Sequence, residues 1–281
     1  MVDLLIRLQH IDRRIIYSLV ILSIGIPILI PIDLPVFVSP EAKGLFEAVK
    51  TVPEGKLVII AADWQAGTQG ECGPQTRAVI RHLFQTGKRF AIFSIIPIGP
   101  ELAQKIAEEE SKGLGKKYGK DWVNWGFKAG SPLTTLTSLA KNIPGVVKTD
   151  INGTPIEKLP AMKNVNDISD VGLIAEFTGS GVFEYYLQRL QGVYGTPLVQ
   201  GCTAVIAPEQ YTYLQSGQLK GLLVGLRGAA EYETLSHVMG EGRRAMTSQS
   251  LAHLLVMALI VLGNIGLYAS RRRRGASDGQ R

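Results

Sequence analysis

Residues 56–63 read Lys56-Leu57-Val58-Ile59-Ile60-Ala61-Ala62-Asp63, a continuous apolar run with turn-forming residues before it. A run of this length that is rich in β-branched residues is typical of a strand buried on both faces of a parallel sheet. Ser39-Pro40-Glu41 precedes it and favours the start of a helix that ends near Pro53. The segment therefore predicts the first strand of a parallel α/β sheet.

Helices and strands alternate beyond this run, which is the pattern of βαβ units with right-handed crossovers. The predicted strands are 90–96, 122–127, 171–177 and 196–201, and the predicted helices are 74–86, 100–111, 133–141 and 182–191. Residues 148–170 are predicted to form a long excursion or lid. The fold class predicted is α/β, a doubly wound and mostly parallel sheet flanked by two transmembrane helices.

Two uncharged runs lie near the ends of the chain. Residues 251–270 contain no Asp, Glu, Lys or Arg, and Arg271-Arg272-Arg273-Arg274 follows them. As a helix, such a run spans about 30 Å, the thickness of the hydrocarbon core of a bilayer. Residues 15–32 form the other run, and we interpret it as an anchor rather than a cleaved signal peptide because no alanine follows it before Glu41.

Basic residues beside the two runs predict their orientation. Seven arginines flank the runs on their outer sides, namely Arg7, Arg13, Arg14 and those at 271–274, against Lys43, Lys50, Arg243 and Arg244 on the side of the central domain. Because basic residues favour the cytoplasm, we expect a multi-pass cell-membrane protein with both termini cytoplasmic. The predicted parts are a cytoplasmic N-terminus (1–14), two spans (15–32 and 251–270), an exoplasmic domain (38–248) and a basic cytoplasmic tail (271–281).

Charge and composition exclude several classes of function. Five arginines against one aspartate give the tail most of the net charge of +6, so the central domain is nearly neutral and offers no nucleic-acid footprint. The lipid bilayer is the partner that the arginines predict. Neither a metal site nor a cofactor is predicted, since two cysteines and four scattered histidines lack ligand spacing.

Candidate ligand-binding residues follow the predicted strands, where ligands bind in open α/β sheets. They lie in two loops and comprise Asp63, Thr68, Glu71, Thr178, Gly179, Ser180 and Gly181. Asp63 and Glu71 are carboxylates suited to acid–base chemistry or cation binding, and the glycine-rich turn at 178–181 is suited to an anion. It lacks the dinucleotide fingerprint, because Glu184 occupies the position of the third glycine. Structural turns remain the alternative for both loops.

The two cysteines, Cys72 and Cys202, both follow predicted strands. Outside the cytoplasm they are candidates for a disulfide, and buried free thiols are the alternative.

Three glycines, Gly217, Gly221 and Gly225, are spaced four residues apart. In a helix they form a smooth stripe through which a second copy or a membrane-protein partner can approach closely. A strand at 220–226 with a helix after Gly228 is the alternative interpretation of the same residues.

Three segments carry a family resemblance. They are Tyr213-Leu214-Gln215-Ser216-Gly217-Gln218-Leu219, the residues 226–233, and Gln249-Ser250-Leu251-Ala252-His253-Leu254. The chain resembles a set of uncharacterised prokaryotic two-span membrane proteins with a central α/β domain. The resemblance implies this architecture, and no activity or site residue.

Two functions remain open from the sequence. The first is a non-enzymatic, membrane-anchored component of a membrane complex, whose exoplasmic domain binds a partner protein or a small ligand. The second is a membrane-tethered enzyme, similar to a hydrolase, that uses the loops at the carboxyl edge of the sheet. We favour the first because no nucleophile–base pair, metal cluster or cofactor fingerprint is found.

Overall fold

The computed structural model describes residues 12–30, 32 and 34–278, with side chains up to Arg271. The chain folds into two compact units. One is Val36–Arg243, and the other combines Met1–Pro35 with Arg244–Arg281.

The central unit is built on a parallel sheet of six strands within the described residues. The strands are β1 (Leu57–Asp63), β2 (Phe90–Ser94), β3 (Trp122–Phe127), β4 (Val171–Thr178), β5 (Leu198–Cys202) and β6 (Leu222–Val224). Their order is β3-β2-β1-β4-β5-β6, and every neighbouring pair is parallel. The predicted α/β class with a doubly wound parallel sheet is confirmed.

Helices cover both faces of this sheet, as a parallel sheet requires. The helices of this unit are α2 (Pro40–Lys50), α3 (Gln69–Gln85), α4 (Gly99–Leu114), α5 (Pro132–Lys141), α6 (Ile143–Val147), α7 (Phe183–Tyr186), α8 (Gly192–Tyr194), α9 (Ala207–Gln215) and α10 (Gly225–Leu235). One hydrophobic core holds α2, α3, α4 and α10 against the sheet, and a second core lies on the opposite face.

The strand β1 is buried at every residue. Ile59 and Ala61 enter one core while Ile60 and Ala62 enter the other, because successive side chains of a strand point to opposite faces. β2 pairs with one edge of β1 and β4 with the other. This position at the centre of the sheet explains why the run of residues 57–62 contains no polar side chain.

Residues 148–170 form a long excursion between β3 and β4, one of the two predicted alternatives, and not a lid. The segment forms short 3₁₀ turns that pack Ile156, Met162 and Ile168 into the second core. Apolar residues at irregular spacing carry no helix or strand signal, and they cover the sheet here without forming a regular element.

The helix favoured for residues 217–231 is also wrong. β6 occupies Leu222–Val224 and α10 starts at Gly225, as the alternative interpretation predicted. Gly217 has a φ of +76°, which a right-handed helix does not allow. The three glycines therefore do not line a common helix face. Association with a second copy or a membrane-protein partner stays a prediction, but a glycine stripe on a helix no longer supports it.

Gly221 instead allows a close contact inside the domain. A Cβ at this position would overlap with the backbone N and Cα of Leu45 in α2. Across the same contact, a Cβ at Gly44 would lie 2.6 Å from the carbonyl oxygen of Lys220. α2 and the segment before β6 approach at backbone distance because both residues are glycine.

The other unit contains α1 (Arg13–Leu29) and most of α11 (Glu241–Asp278). Within the described residues, one helix is long and apolar enough to cross a membrane. It is Glu241–Arg271, and its most apolar stretch has a mean hydropathy of 2.1. The predicted first span, 15–32, is shorter as a helix. It ends at Leu29 with Ile30 extended, since the residue before a proline, here Pro31, is disfavoured in the helical region.

We predict that Gly221→Ala destabilises the protein by about 3 kcal/mol or more, because a side chain there must displace backbone. Gly113→Ala is the matched control, since its added Cβ meets nothing within 4 Å and alanine favours a helix over glycine. Thermal unfolding of the full chain in mild detergent measures both. Equal unfolding temperatures for the two variants would contradict the close contact.

Candidate functional site

The carboxyl ends of β1 and β4 form the point at which the sheet reverses its winding. From β1 the chain proceeds to β2 on one side, and it returns from β3 to β4 on the other side of β1. The connections after the two strands therefore leave toward opposite faces, which opens a crevice at the strand ends where ligands bind in such sheets. The strand order is the one found in dinucleotide-binding domains.

A cavity of about 210 Å³ occupies this crevice. Its lining residues come from the end of β1, the loop after it, the loop after β2 and the loop after β4: Asp63, Trp64, Gln65, Gly67, Thr68, Ile96, Gly179 and Ser180. The structure thus brings together four of the predicted candidates, which are Asp63, Thr68, Gly179 and Ser180.

Asp63 is the buried carboxyl group of this cavity, with 1% of its surface exposed. Its Oδ1 accepts hydrogen bonds from the Ser94 hydroxyl at 2.6 Å and from the Ile95 backbone N–H at 2.8 Å. Its Oδ2 has no hydrogen-bond partner within the described residues. One carboxylate oxygen is therefore fixed by the end of β2, while the other is buried from solvent.

Burial raises the pKa of Asp63 to about 6, and the hydrogen bond from Ser94 and the nearby Tyr186 hydroxyl partly offset this effect. Burial disfavours the charged form of a carboxyl group, and a donor to the carboxylate favours it. The group can therefore change its protonation state near neutral pH.

A second carboxyl group, Glu176 on β4, lies on the same face of the sheet. It pairs in register with Ala61, whose side chain shares its face with that of Asp63. Glu176 is fully buried, and neither of its oxygens forms a hydrogen bond of normal geometry in the described chain, although the Gln200 and Thr178 side chains lie close enough to favour its charged form. Burial, followed by the charge of Asp63, raises its pKa well above the ordinary value, which favours the protonated form.

Gln200 and Tyr186 complete this buried polar group. Gln200 pairs in register with Glu176 across β4 and β5, and Tyr186 lies in the core on that face. Among the described residues, the amide oxygen and nitrogen of Gln200 form no hydrogen bond of normal geometry. The Tyr186 hydroxyl lies close to Asp63, also without a hydrogen bond of normal geometry. Burial and the charge of Asp63 raise the pKa of Tyr186.

These three residues were missed in the sequence. The available signal was a Glu and a Gln within otherwise buried strands, at 171–177 and 196–201. Polar residues in such strands need a partner or a function, but the sequence alone does not align the two strands side by side.

The turn at Thr178-Gly179-Ser180-Gly181 leads into a helical segment over residues 183–194, and its own hydroxyl groups form hydrogen bonds within the turn and to β1. The Thr178 hydroxyl donates to the Asp63 carbonyl at 2.9 Å, and the Ser180 N–H donates to the Thr178 hydroxyl oxygen at 3.1 Å. The helix that follows, α7, continues through the π-helical turn Leu187–Gln191 into α8. Gly179 allows the two loops to meet, since a Cβ there would lie 2.5 Å from Cγ2 of Thr68.

Glu71 and Gly181 do not line the cavity. Glu71 lies in the first turn of α3, which starts at Gln69, five residues before the predicted start. Its Oε2 accepts a hydrogen bond from the backbone N–H of Ala204 at 2.9 Å. Glu71 therefore holds the loop after β5 and has a structural role.

The predicted disulfide is not formed, because Cys72 and Cys202 are both buried free thiols. Cys72 lies within α3, and Cys202 ends β5. Burial raises the pKa of Cys202 to about 12 and also that of Cys72, which makes both thiols poor nucleophiles at neutral pH.

No protein-family model, curated protein or solved structure matches this chain. The loop after β1, Trp64-Gln65-Ala66-Gly67-Thr68-Gln69-Gly70, also lacks the spacing of the dinucleotide fingerprint. The strand order alone does not assign a nucleotide to the site.

We predict that Asp63→Asn removes a pH dependence of stability. The folded-state pKa of about 6 lies above the ordinary value of 3.8, so the folded protein binds this proton more tightly than the unfolded chain. The resulting stabilisation is complete below the lower pKa and is lost as the pH rises through the higher one, a change of about 3 kcal/mol.

Asparagine keeps an acceptor for Ser94 and Ile95 but does not titrate. The difference in unfolding temperature, variant minus wild type, should therefore be larger at a pH of about 8 than at a pH of about 4. Asp121→Asn is the control, since Asp121 is a partly exposed carboxylate that accepts from the Lys117 N–H. A difference between Asp63→Asn and wild type that stays constant with pH would contradict the raised pKa.

Proposed function

We propose that this protein is a membrane-anchored binding protein whose α/β domain holds a small polar ligand in the cavity between β1 and β4. The observation that carries the proposal is Asp63, a buried carboxyl group that lines the cavity with Oδ2 unpaired among the described residues. An unsatisfied buried polar atom costs about 1–3 kcal/mol. A ligand that donates a hydrogen bond to this oxygen offsets that cost.

The size and shape of the cavity support a small ligand. Its volume of about 210 Å³ is below the range of about 300–1,000 Å³ typical of sites for drug-sized molecules. Exposed residues, such as Gln65 and Ser180, lie at its rim, and the buried Asp63 and Trp64 lie deeper. The cavity therefore has room for a molecule of a few heavy atoms.

The membrane placement is part of the same proposal. We propose two spans, at 15–32 and 251–270, with both termini cytoplasmic and the domain exoplasmic. The long apolar helix of residues 241–271 and the arginines that follow residue 270 support this arrangement. The domain is then held at the outer membrane surface, where it can act within a membrane complex.

A membrane-tethered enzyme is the second candidate. The pKa of Asp63, about 6, suits a general base near neutral pH, and burial and the charge of Asp63 raise the pKa of Glu176 nearby. Two carboxyl groups whose pKa values are moved apart are typical of acid–base catalysis. However, the Ser180 hydroxyl contacts Thr178, at 3.1 Å, and not Asp63, so a serine nucleophile activated by this base is not supported.

We predict that Gly67→Leu blocks ligand binding without unfolding the domain. Gly67 lines the cavity, and a Cβ added there meets nothing within 4 Å, so a larger side chain can occupy the cavity entrance. Polar metabolites that raise the unfolding temperature of the full-length wild type in detergent should not raise that of this variant.

Gly70→Leu is the matched control for this experiment. Gly70 also has open space at its Cβ but does not line the cavity, so the ligand should still stabilise this variant. A ligand that stabilises wild type and Gly67→Leu equally would place the binding site elsewhere. Mass analysis of the ligand after incubation separates binding, which returns it unchanged, from catalysis.

We predict that protease added to intact spheroplasts cleaves the central domain, because the arginine bias places it outside the cytoplasm. Cleavage is detected by antibodies against tags on the two termini, which should stay protected until the membrane is opened. Cleavage of the domain only in inside-out vesicles would show the inverted topology.

A further inference from the structure

We propose that α10 is a clasp that ties the segment entering the central domain and the segment leaving it to one helix, so that the two segments move together. The entering segment is 36–39 and the leaving segment is 240–243, and both belong to the unit Val36–Arg243. Glu231 of α10 fastens the first segment and Glu233 fastens the second. This inference goes beyond the proposed binding function and does not depend on it.

The entering segment is held by Glu231, a carboxylate with 3% of its surface exposed. Its Oε2 accepts hydrogen bonds from the backbone N–H and the hydroxyl of Ser39, and its Oε1 accepts from Nε of Arg227 at 2.6 Å. Ser39 is also the N-cap of α2 and accepts from the Ala42 N–H at 3.3 Å. One buried carboxylate thus fixes the residue at which the chain starts the first helix of the domain.

The leaving segment is held by Glu233, which is also 3% exposed. Its Oε1 accepts from the Gly242 N–H at 3.0 Å, and its Oε2 accepts from the Arg243 N–H at 2.8 Å. These N–H groups belong to the first turn of α11, where the helix has no acceptors of its own and its dipole favours an anion. Arg77 forms an ion pair with Glu241 nearby, but the Glu241 side chain is 56% exposed, so this contact contributes little.

Glycines bring the leaving segment against α10. A Cβ at Gly240 would overlap with Oε1 of Glu233, and a Cβ at Gly242 would lie 2.8 Å from Cβ of Ala229. His237, with a φ of +55°, lies in the turn after α10. The chain therefore reverses after α10 and returns along it at distances that larger residues would forbid.

The two carboxylates point to different sides of α10. At 3.6 residues per turn, the side chains of Glu231 and Glu233 are about 200° apart around the helix. The two fastened segments therefore lie on different sides of α10 and are joined through it. Apolar side chains of similar volume would often stabilise a protein more than buried charges do, which favours a role of these carboxylates in holding the segments in position.

Hydrogen exchange of the full-length protein in mild detergent tests the two fastenings separately. Leucine keeps the helix propensity and most of the volume of glutamate, but it has no acceptor. In Glu233→Leu the amides of 242–243 should exchange about fivefold faster or more, because they lose their cap, and the Ser39 amide should stay as in the wild type. In Glu231→Leu the Ser39 amide should exchange faster, and those of 242–243 should not.

Spin labels on the two segments test whether α10 holds them together. Phe37→Cys and Glu241→Cys place the labels at exposed positions, and the two native cysteines are buried. The distance between the labels, measured by double electron–electron resonance, should be narrowly distributed in the otherwise native protein. It should become broader when either Glu231→Leu or Glu233→Leu is added.

Glu101→Leu is the matched control, since Glu101 is an exposed residue of α4 outside both segments, and it should change neither measurement. Unfolding temperatures verify that each variant is folded. Glu231→Gln or Glu233→Gln, each of which keeps one acceptor, replaces a leucine variant that does not fold, with the same pattern expected. Folded variants in which the amides stay protected, or in which one change exposes both segments alike, would overturn the separate fastenings. A distance distribution that neither variant broadens would overturn the clasp.

Discussion

The burial of β1 on both edges and both faces is the constraint on which the domain depends. β2 and β4 take its lateral hydrogen-bonding positions, and two separate cores take its side chains. Polar chemistry can therefore begin only where the strand ends, at Asp63. The same centrality places this residue at the point where the sheet reverses its winding, and the Thr178 hydroxyl fixes the end of β1 through the carbonyl oxygen of Asp63.

Close backbone contacts hold the surrounding elements in position. A Cβ at Gly99 would overlap with the Ala62 carbonyl, and one at Gly221 would overlap with Leu45. These glycines let α4 and the segment before β6 lie against the central strands and helices at distances that a side chain forbids. In this protein, glycine spacing that resembles a membrane-helix motif serves packing within the central domain.

The cluster of buried polar side chains near the cavity lowers the free energy of unfolding of the domain. Glu176, Gln200 and Tyr186 have polar atoms without partners among the described residues, in strands and a core that are otherwise apolar. Such groups cost free energy that aliphatic side chains would not. Their concentration on one face, next to the unpaired oxygen of Asp63, is consistent with a site that sacrifices stability for binding.

The sequence by itself determined the strands that are continuous apolar runs, the parallel class of the sheet and the uncharged C-terminal helix, because each depends on local composition and periodicity. It also placed Asp63, Thr68, Gly179 and Ser180 among the candidates, because strand ends are readable in a parallel α/β pattern. Tertiary structure alone decided that Glu71 accepts a hydrogen bond from the loop after β5, that residues 148–170 cover the core, and that Gly221 precedes a strand. It also decided that Glu176 and Gln200 lie side by side next to Asp63. These outcomes depend on the order and register of strands far apart in the chain, which local spacing does not encode.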